Sequence, residues 1–132
     1  RVHNIALVVE KLNGIIVQPN EEFSFNDSVG ERSEARGFKE ATALFGREKV
    51  REVGGGVCQV STTIYQAARN AELEIEERHQ HKRKIPYAEV GDDATVDFDS
   101  DFDLVFKNST DRPIKVIVSH DEEHVHVTID KM

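Results

Sequence analysis

Cysteine is nearly absent from this chain of 132 residues: Cys58 is the single one, so no internal disulfide framework can form. That does not argue against an extracytoplasmic home, where a lone thiol persists if it is catalytic. Positive charge is also scarce. Seventeen Lys and Arg residues stand against 25 Asp and Glu, for a formal net charge of −8. A nucleic-acid binder needs a basic footprint for counterion release, so no nucleic-acid partner is expected. No apolar run approaches the ~20 residues needed to cross a bilayer, and the domain is not expected to span a membrane. No signal peptide precedes Arg1, yet the chain opens at once in a helical pattern, as expected of one domain (residues 1–132) excised from a longer protein. The length suits one domain with its own core and no metal or disulfide staples.

What is present centres on Gly54-Gly55-Gly56-Val57-Cys58-Gln59-Val60-Ser61-Thr62-Thr63. Three glycines run straight into the cysteine. Val57, Val60, Ile64, Ala67, Ala68 and Ala71 then recur at helical spacing, predicting a helix over about 57–71. Cys58 sits about 100° round from Val57, off the centre of the apolar stripe. In the first helical turn it meets unpaired backbone N–H groups and the positive end of the macrodipole, both of which favour thiolate over thiol. Glycines can take positive φ and let a substrate backbone come close. A nucleophile beside oxyanion donors is one reading. A packed small hydrophobe beside a flexible turn is the other.

The remaining pattern is α+β. Val2, Ile5, Ala6, Val9 and Leu12 predict a first helix over about 2–12, stopped at Asn13-Gly14. Ile15 to Val17 and Glu22 to Phe25 read as short strands, and Asn26 to Gly30 as a turn. Residues 31–52 are heavily charged and weakly patterned, which predicts loop with some strand. Alternation in Ala94–Phe98, Phe102–Phe106, Ile114–Val118 and Val125–Ile129 predicts a C-terminal β-meander. Two helices packed on a mainly antiparallel sheet is the expected fold.

Thiol catalysis needs a base, commonly held by a third group. Of six histidines, His124 and His126 alternate with Val125, Val127 and Ile129 and belong on a solvent face. His3 and His120 are expected to be solvated. His79 and His81 lie one helix length beyond Cys58, where the chain can return past the helix start. On an extended segment they share one side, with Arg78, Gln80 and Lys82 on the other. Arg78 suits a substrate carboxylate or a salt bridge to the acidic link before it. Asp92, Asp93 and Asp97 are candidates to orient a histidine. A zinc site from Cys58, His79, His81 and an aspartate is the competing chemistry. No second cysteine or His-Glu-x-x-His spacing supports it, so neither metal nor cofactor is expected.

These residues resemble the VanW domain family. The stretch Gly54 to Thr63 carries the likeness most specifically. Arg1, Asn4-Ile5, Glu22-Phe23-Ser24-Phe25-Asn26, Val29-Gly30, Arg78, His81, Tyr87, Gly91, Asp93-Ala94-Thr95 and Phe106-Lys107-Asn108 extend it over nearly the whole chain. The resemblance implies an envelope protein of mainly Gram-positive bacteria, monomeric within a multidomain chain. It also implies a peptidoglycan L,D-transpeptidase in which Cys58 forms a thioester with one stem peptide and a second stem's amine resolves it to a 3–3 cross-link. It selects His81 over His79 as acid and base, and places Arg78 at a carboxylate or the oxyanion. Gly55, Gly56, Gln59, Ser61, Thr62 and His79 would line the oxyanion and substrate site. A non-catalytic wall-binding module, or a cysteine peptidase or amidase acting on the same stems, is the alternative.

Overall fold

The first helix forms where the apolar spacing predicts it. In the computed structural model, which describes residues 1–45, 48–81 and 85–132, α1 spans Val2–Leu12 and buries Asn4, Ile5, Val8 and Leu12. Their spacing of three and four residues forms one stripe, and that stripe packs on the central strand of a sheet and on the later helix. Asn13 ends the helix, and its side-chain Oδ1 accepts the Val118 N–H at 3.0 Å, joining the helix end to the sheet.

Three strands make the first sheet: β1 (Ile15–Val17), β7 (Ile114–His120) and β8 (Val125–Lys131), ordered β1-β7-β8 and all antiparallel. Ile114, Val116 and Val118 point into the core while the residues between them are more open, as their alternation predicts. The second sheet has the order β2-β6-β5, from β2 (Glu22–Ser24), β6 (Val105–Lys107) and β5 (Glu74–Glu77). Phe23 and Phe106 face each other across the β2–β6 pair with their rings stacked at 4.9 Å.

The α+β architecture is borne out: both expected helices form, a third short one joins them, and the sheets are antiparallel. Its finer layout differs from one continuous meander. The C-terminal strands divide between the two sheets, and Ala94–Phe98 contributes isolated bridges, His79 with Thr95 and Asp97 with Phe102. Asn26 to Gly30 is not a turn alone: Phe25–Val29 forms a short helix, α2, whose first turn is capped by Ser24 accepting from the Asp27 N–H. The charged segment folds as a separate two-stranded ribbon, β3 (Glu40–Phe45) with β4 (Glu48–Val53).

The central helix α3 runs Val57–Asn70 and packs against α1, β5 and β8. Val60, Ile64 and Ala68 are fully buried, each apolar side chain contributing about 1.5–3 kcal/mol where it is the size of valine or isoleucine. The glycine turn before it is wedged between neighbours. Asn4, itself buried, donates from Nδ2 to Gly55 O at 3.0 Å and to Lys39 O at 2.8 Å, and accepts the Lys39 N–H at 2.8 Å. A Cβ added at Gly55 would lie 2.6 Å from the Ala41 carbonyl oxygen. The obstacle is backbone, so it cannot swing aside. Replacing Gly55 by Ala is expected to destabilise the domain by about 1–3 kcal/mol, read as a lower urea midpoint with unchanged slope. A midpoint equal to that of the parent chain would contradict this packing.

Candidate active site

The nucleophile candidate lies at the start of α3. Gly56, at φ +100, is its N-terminal cap, a left-handed position that disfavours any side chain. The Val57 and Gln59 N–H groups turn to Gly54 O and Gly56 O, at 3.3 and 3.2 Å. Between them the Cys58 N–H has no acceptor among the described residues, as the first helical turn permits.

A second segment is docked on this helix by two hydroxyls. Ser61 Oγ donates to Ala94 O at 2.6 Å, and Thr62 Oγ1 donates to the same oxygen at 3.1 Å while accepting the Ala94 N–H at 3.0 Å. The docking sets Thr95 Oγ1 and Val96 O each 3.5 Å from Cys58 Sγ. It also presents Asp93 to the third segment, the chain leaving β5. There the Asp93 Oδ2 accepts the His81 backbone N–H at 2.6 Å and the His81 ring Nδ1–H at 2.5 Å. With Nδ1 donating to the carboxylate, Nε2 is the ring nitrogen left to act on Cys58.

Burial pushes the Cys58 thiol up, but hydrogen bonds with His81, Thr95 and the Val96 backbone, and the His81 charge, bring it below its ordinary value. Burial likewise pulls the His81 imidazolium down, and its hydrogen bonds to Cys58 and Asp93 and their negative charges more than offset this, leaving it raised. Burial would raise Asp93, yet the His81 backbone and ring hold it lowered. All three directions favour a thiolate–imidazolium–carboxylate row. Tyr87 closes one side, its ring edge-on to His81 at 6.3 Å between centroids. Burial and the Cys58 charge push its phenol upward, so it stays a neutral hydroxyl.

The other residues singled out from the sequence take different places. His79 stacks on Phe102 at 4.4 Å and bonds Glu77 Oε2 at 2.8 Å, so the two histidines have separate partners. Among the described residues no three of His, Cys, Asp and Glu are grouped to hold a metal ion. Arg78 donates from Nε to Asp93 O and from Nη2 to Gly91 O, both at 2.7 Å, and lies over the Tyr65 ring at 4.6 Å. That corrects its expected place at a substrate carboxylate: the fork holds the loop that carries Asp93. Ser61 and Thr62 are corrected similarly. They are 0% and 1% exposed, and their hydroxyls hold Ala94 instead of facing a ligand. At Gly55 the Ala41 backbone already requires a glycine. Gln59 bridges elements, accepting from Arg1 Nη2 and donating to Glu123 O at 3.4 Å. Gly56 and Gln59 border Cys58 at the start of α3. Lys82, expected on the other side of the segment from His81, lies outside the described residues.

Among the three aspartates, Asp92 pairs with Arg69 at 2.7 Å and Asp97 caps its own turn through Ser100 Oγ at 2.8 Å, which leaves Asp93. Thr95 was not singled out as a partner of the thiol. Its signal is its place two residues after Asp93 in an alternating run. His124 and His126 are exposed beside Asp121, as alternation predicts.

A cysteine at a helix start, aligned with a histidine and a buried carboxylate in an α+β domain, defines the class of site. The chain belongs to the VanW family: the model described as VanW like protein matches residues 1–130. It is 41% identical over 116 residues to YoaR, an uncharacterized protein of Bacillus subtilis (strain 168), covering 88% of this chain and 38% of that one. It is 28% identical over 130 residues to the vancomycin B-type resistance protein VanW of Enterococcus faecalis (strain ATCC 700802 / V583), covering 95% of this chain and 47% of the relative. The chain thus spans less than half the length of these curated relatives. No solved structure matches it. No helix of the described residues is long and apolar enough to cross a membrane.

The lowered Cys58 thiol and the raised His81 imidazolium bring the two groups towards a common pH range, which favours thiolate and imidazolium together. The rate of Cys58 alkylation should therefore inflect clearly below the ~8.5 of a free thiol. Asp93→Asn removes the charge that holds His81 up, so the inflection should move up by about one pH unit. An inflection at the free-thiol value in the parent chain would remove the case for an activated sulfur.

Proposed function

We propose that this domain is a cysteine-dependent L,D-transpeptidase acting on peptidoglycan stem peptides at the cell envelope, as a monomeric unit of a longer chain. The observation that carries the reading is the Cys58–His81–Asp93 row at the start of α3. The sequence motif around Cys58 and the family membership support the substrate class.

In this reading the Cys58 thiolate attacks the carbonyl carbon of the third residue of the donor stem. The oxygen gains negative charge, and the Cys58 N–H together with the helix start stabilise it. His81 then gives its Nε2 proton to the nitrogen of the terminal D-alanine as the C–N bond breaks and that residue leaves. The thioester conserves the bond energy outside the membrane, where ATP is not at hand. A side-chain amine of a neighbouring stem attacks the thioester, neutral His81 takes its proton, and the thiolate departs to leave a 3–3 cross-link. Asp93 positions the imidazole and balances its charge, and Arg78 positions Asp93.

Cys58→Ala should abolish transfer with a stability change below ~1 kcal/mol, because a methyl replaces a half-buried thiol. His81→Ala should lower the acylation rate by ~10²-fold or more, and His79→Ala by less than ~10-fold. The checks are single-turnover acylation with purified muropeptides and the product mass. Released acid in place of cross-linked product would assign hydrolysis. Binding to wall without any thioester, with the alanine variant binding equally, would assign the non-catalytic module.

A further inference from the structure

A second cation stands against the glycine turn that leads into Cys58. Arg32 packs against the glycine turn so closely that a Cβ at Gly54 would lie 3.0 Å from the Arg32 Cβ. One end of its guanidinium is fixed: Nη1–H donates to Asn26 Oδ1 at 2.9 Å and to Gly30 O at 3.0 Å, and the group lies over the Phe25 ring at 5.7 Å. Asn26 is itself anchored, its N–H to Asp103 Oδ1 at 2.8 Å and its Nδ2 to Phe102 O at 2.9 Å. The other edge of the fork, Nε and Nη2, has no partner among the described residues, and no carboxylate there is in ion-pair contact with it. A half-buried arginine held at one edge and open at the other is shaped for a planar anion. Burial pulls its pKa down, and of the charges that push it back up Cys58 is the largest. Asp97, Asp99 and Asp103 act on it more weakly. By contrast Arg78 already holds two carbonyls, and Arg1 lies over Tyr87.

We propose that Arg32 is the carboxylate-binding residue of the acyl-donor subsite, its Nε–Nη2 edge taking the free terminal carboxylate of the residue that leaves from Cys58. The proposal rests on the reading of Cys58 as nucleophile. It specifies the donor further. In a stem ending one residue past the scissile bond, the carboxylate belongs to the leaving residue. Arg32 then selects donors that lose a single terminal residue, against amidated or longer ones.

The test separates this proposal from the transpeptidase reading by using two small alkylating agents on the folded domain. Iodoacetate carries a carboxylate and iodoacetamide does not. Relative to a free thiol, Cys58 should favour iodoacetate, and Arg32→Gln should lower the ratio of the iodoacetate rate to the iodoacetamide rate by about 10-fold, both taken above the thiol's inflection. A urea midpoint close to that of the parent chain reports that the variant is folded. Arg32→Lys, which keeps the charge without the fork, should retain part of the preference. With stem donors, Arg32→Gln should raise KM for a free terminal carboxylate and not for its amide. An unchanged reagent ratio in Arg32→Gln, or loss of the preference in Arg1→Gln instead, overturns the proposal. If Cys58 reacts with neither reagent, the nucleophile reading and this one fall together. If the charge preference depends on Arg32 but no stem is acylated, the anion site stands and the transpeptidase reading falls.

Discussion

The arrangement of the site depends on how two adjacent hydroxyls of one helix hold the backbone of Ala94. Ser61 and Thr62 are buried inside α3 and make three hydrogen bonds to the amide and carbonyl of that one residue. Such bonds have a modest net worth, but leaving either partner unmet in the interior costs about 1–3 kcal/mol, so the segment has one good position. From that position Thr95 and Val96 face the sulfur, and Asp93, one residue earlier, reaches His81. The helix that carries the thiol therefore also sets the distance to its base.

A closed circuit of contacts reinforces this. Asp93 is 3% exposed and would be costly to bury alone. It is satisfied by the backbone and ring of His81, while Arg78 holds its carbonyl and that of Gly91. Arg78 in turn rests on Tyr65, a buried residue two turns along α3 from Cys58. Base, carboxylate and arginine thus all return to the same helix. At its other end the glycine turn is fixed by Asn4 from α1 and by the backbone of β3. One wall of the site is the start of α3, and the other, the irregular segment from Asp93 to Val96, takes its placement from the hydrogen bonds that dock it on that helix.

Much of this was legible in the sequence, for identifiable reasons. Both long helices bury a stripe, so their apolar spacing located them, and β7 and β8 alternate because one face meets the core. The ribbon of β3 and β4 joins neither sheet, so no core-facing alternation was imposed on it. One helical turn over Phe25–Val29 depends on the Ser24 cap and on Asp103, 77 residues away from Asn26, which no local pattern carries. Cys58 and His81 were visible because thiols are rare here and the motif is specific. Asp93 was not separable from Asp92 and Asp97 in a chain with 25 acidic residues. The roles of Ser61, Thr62 and Arg78 depend on which backbone atoms the fold brings to them. Residue type suggested ligands, and tertiary contact made them supports.

The pairing of a lowered thiol with a chain that holds no second cysteine has a redox consequence. Thiolates oxidise first to sulfenic acid, and many proteins rescue that state by condensing it with a neighbouring thiol. Within this domain there is no such neighbour. A sulfenate on Cys58 must be capped and reduced by an external thiol, or it proceeds to the irreversible sulfinic acid. The same influence of His81 that lowers the thiol also exposes the sulfur to this loss, so the lifetime of its reduced form is linked to the reductants around it.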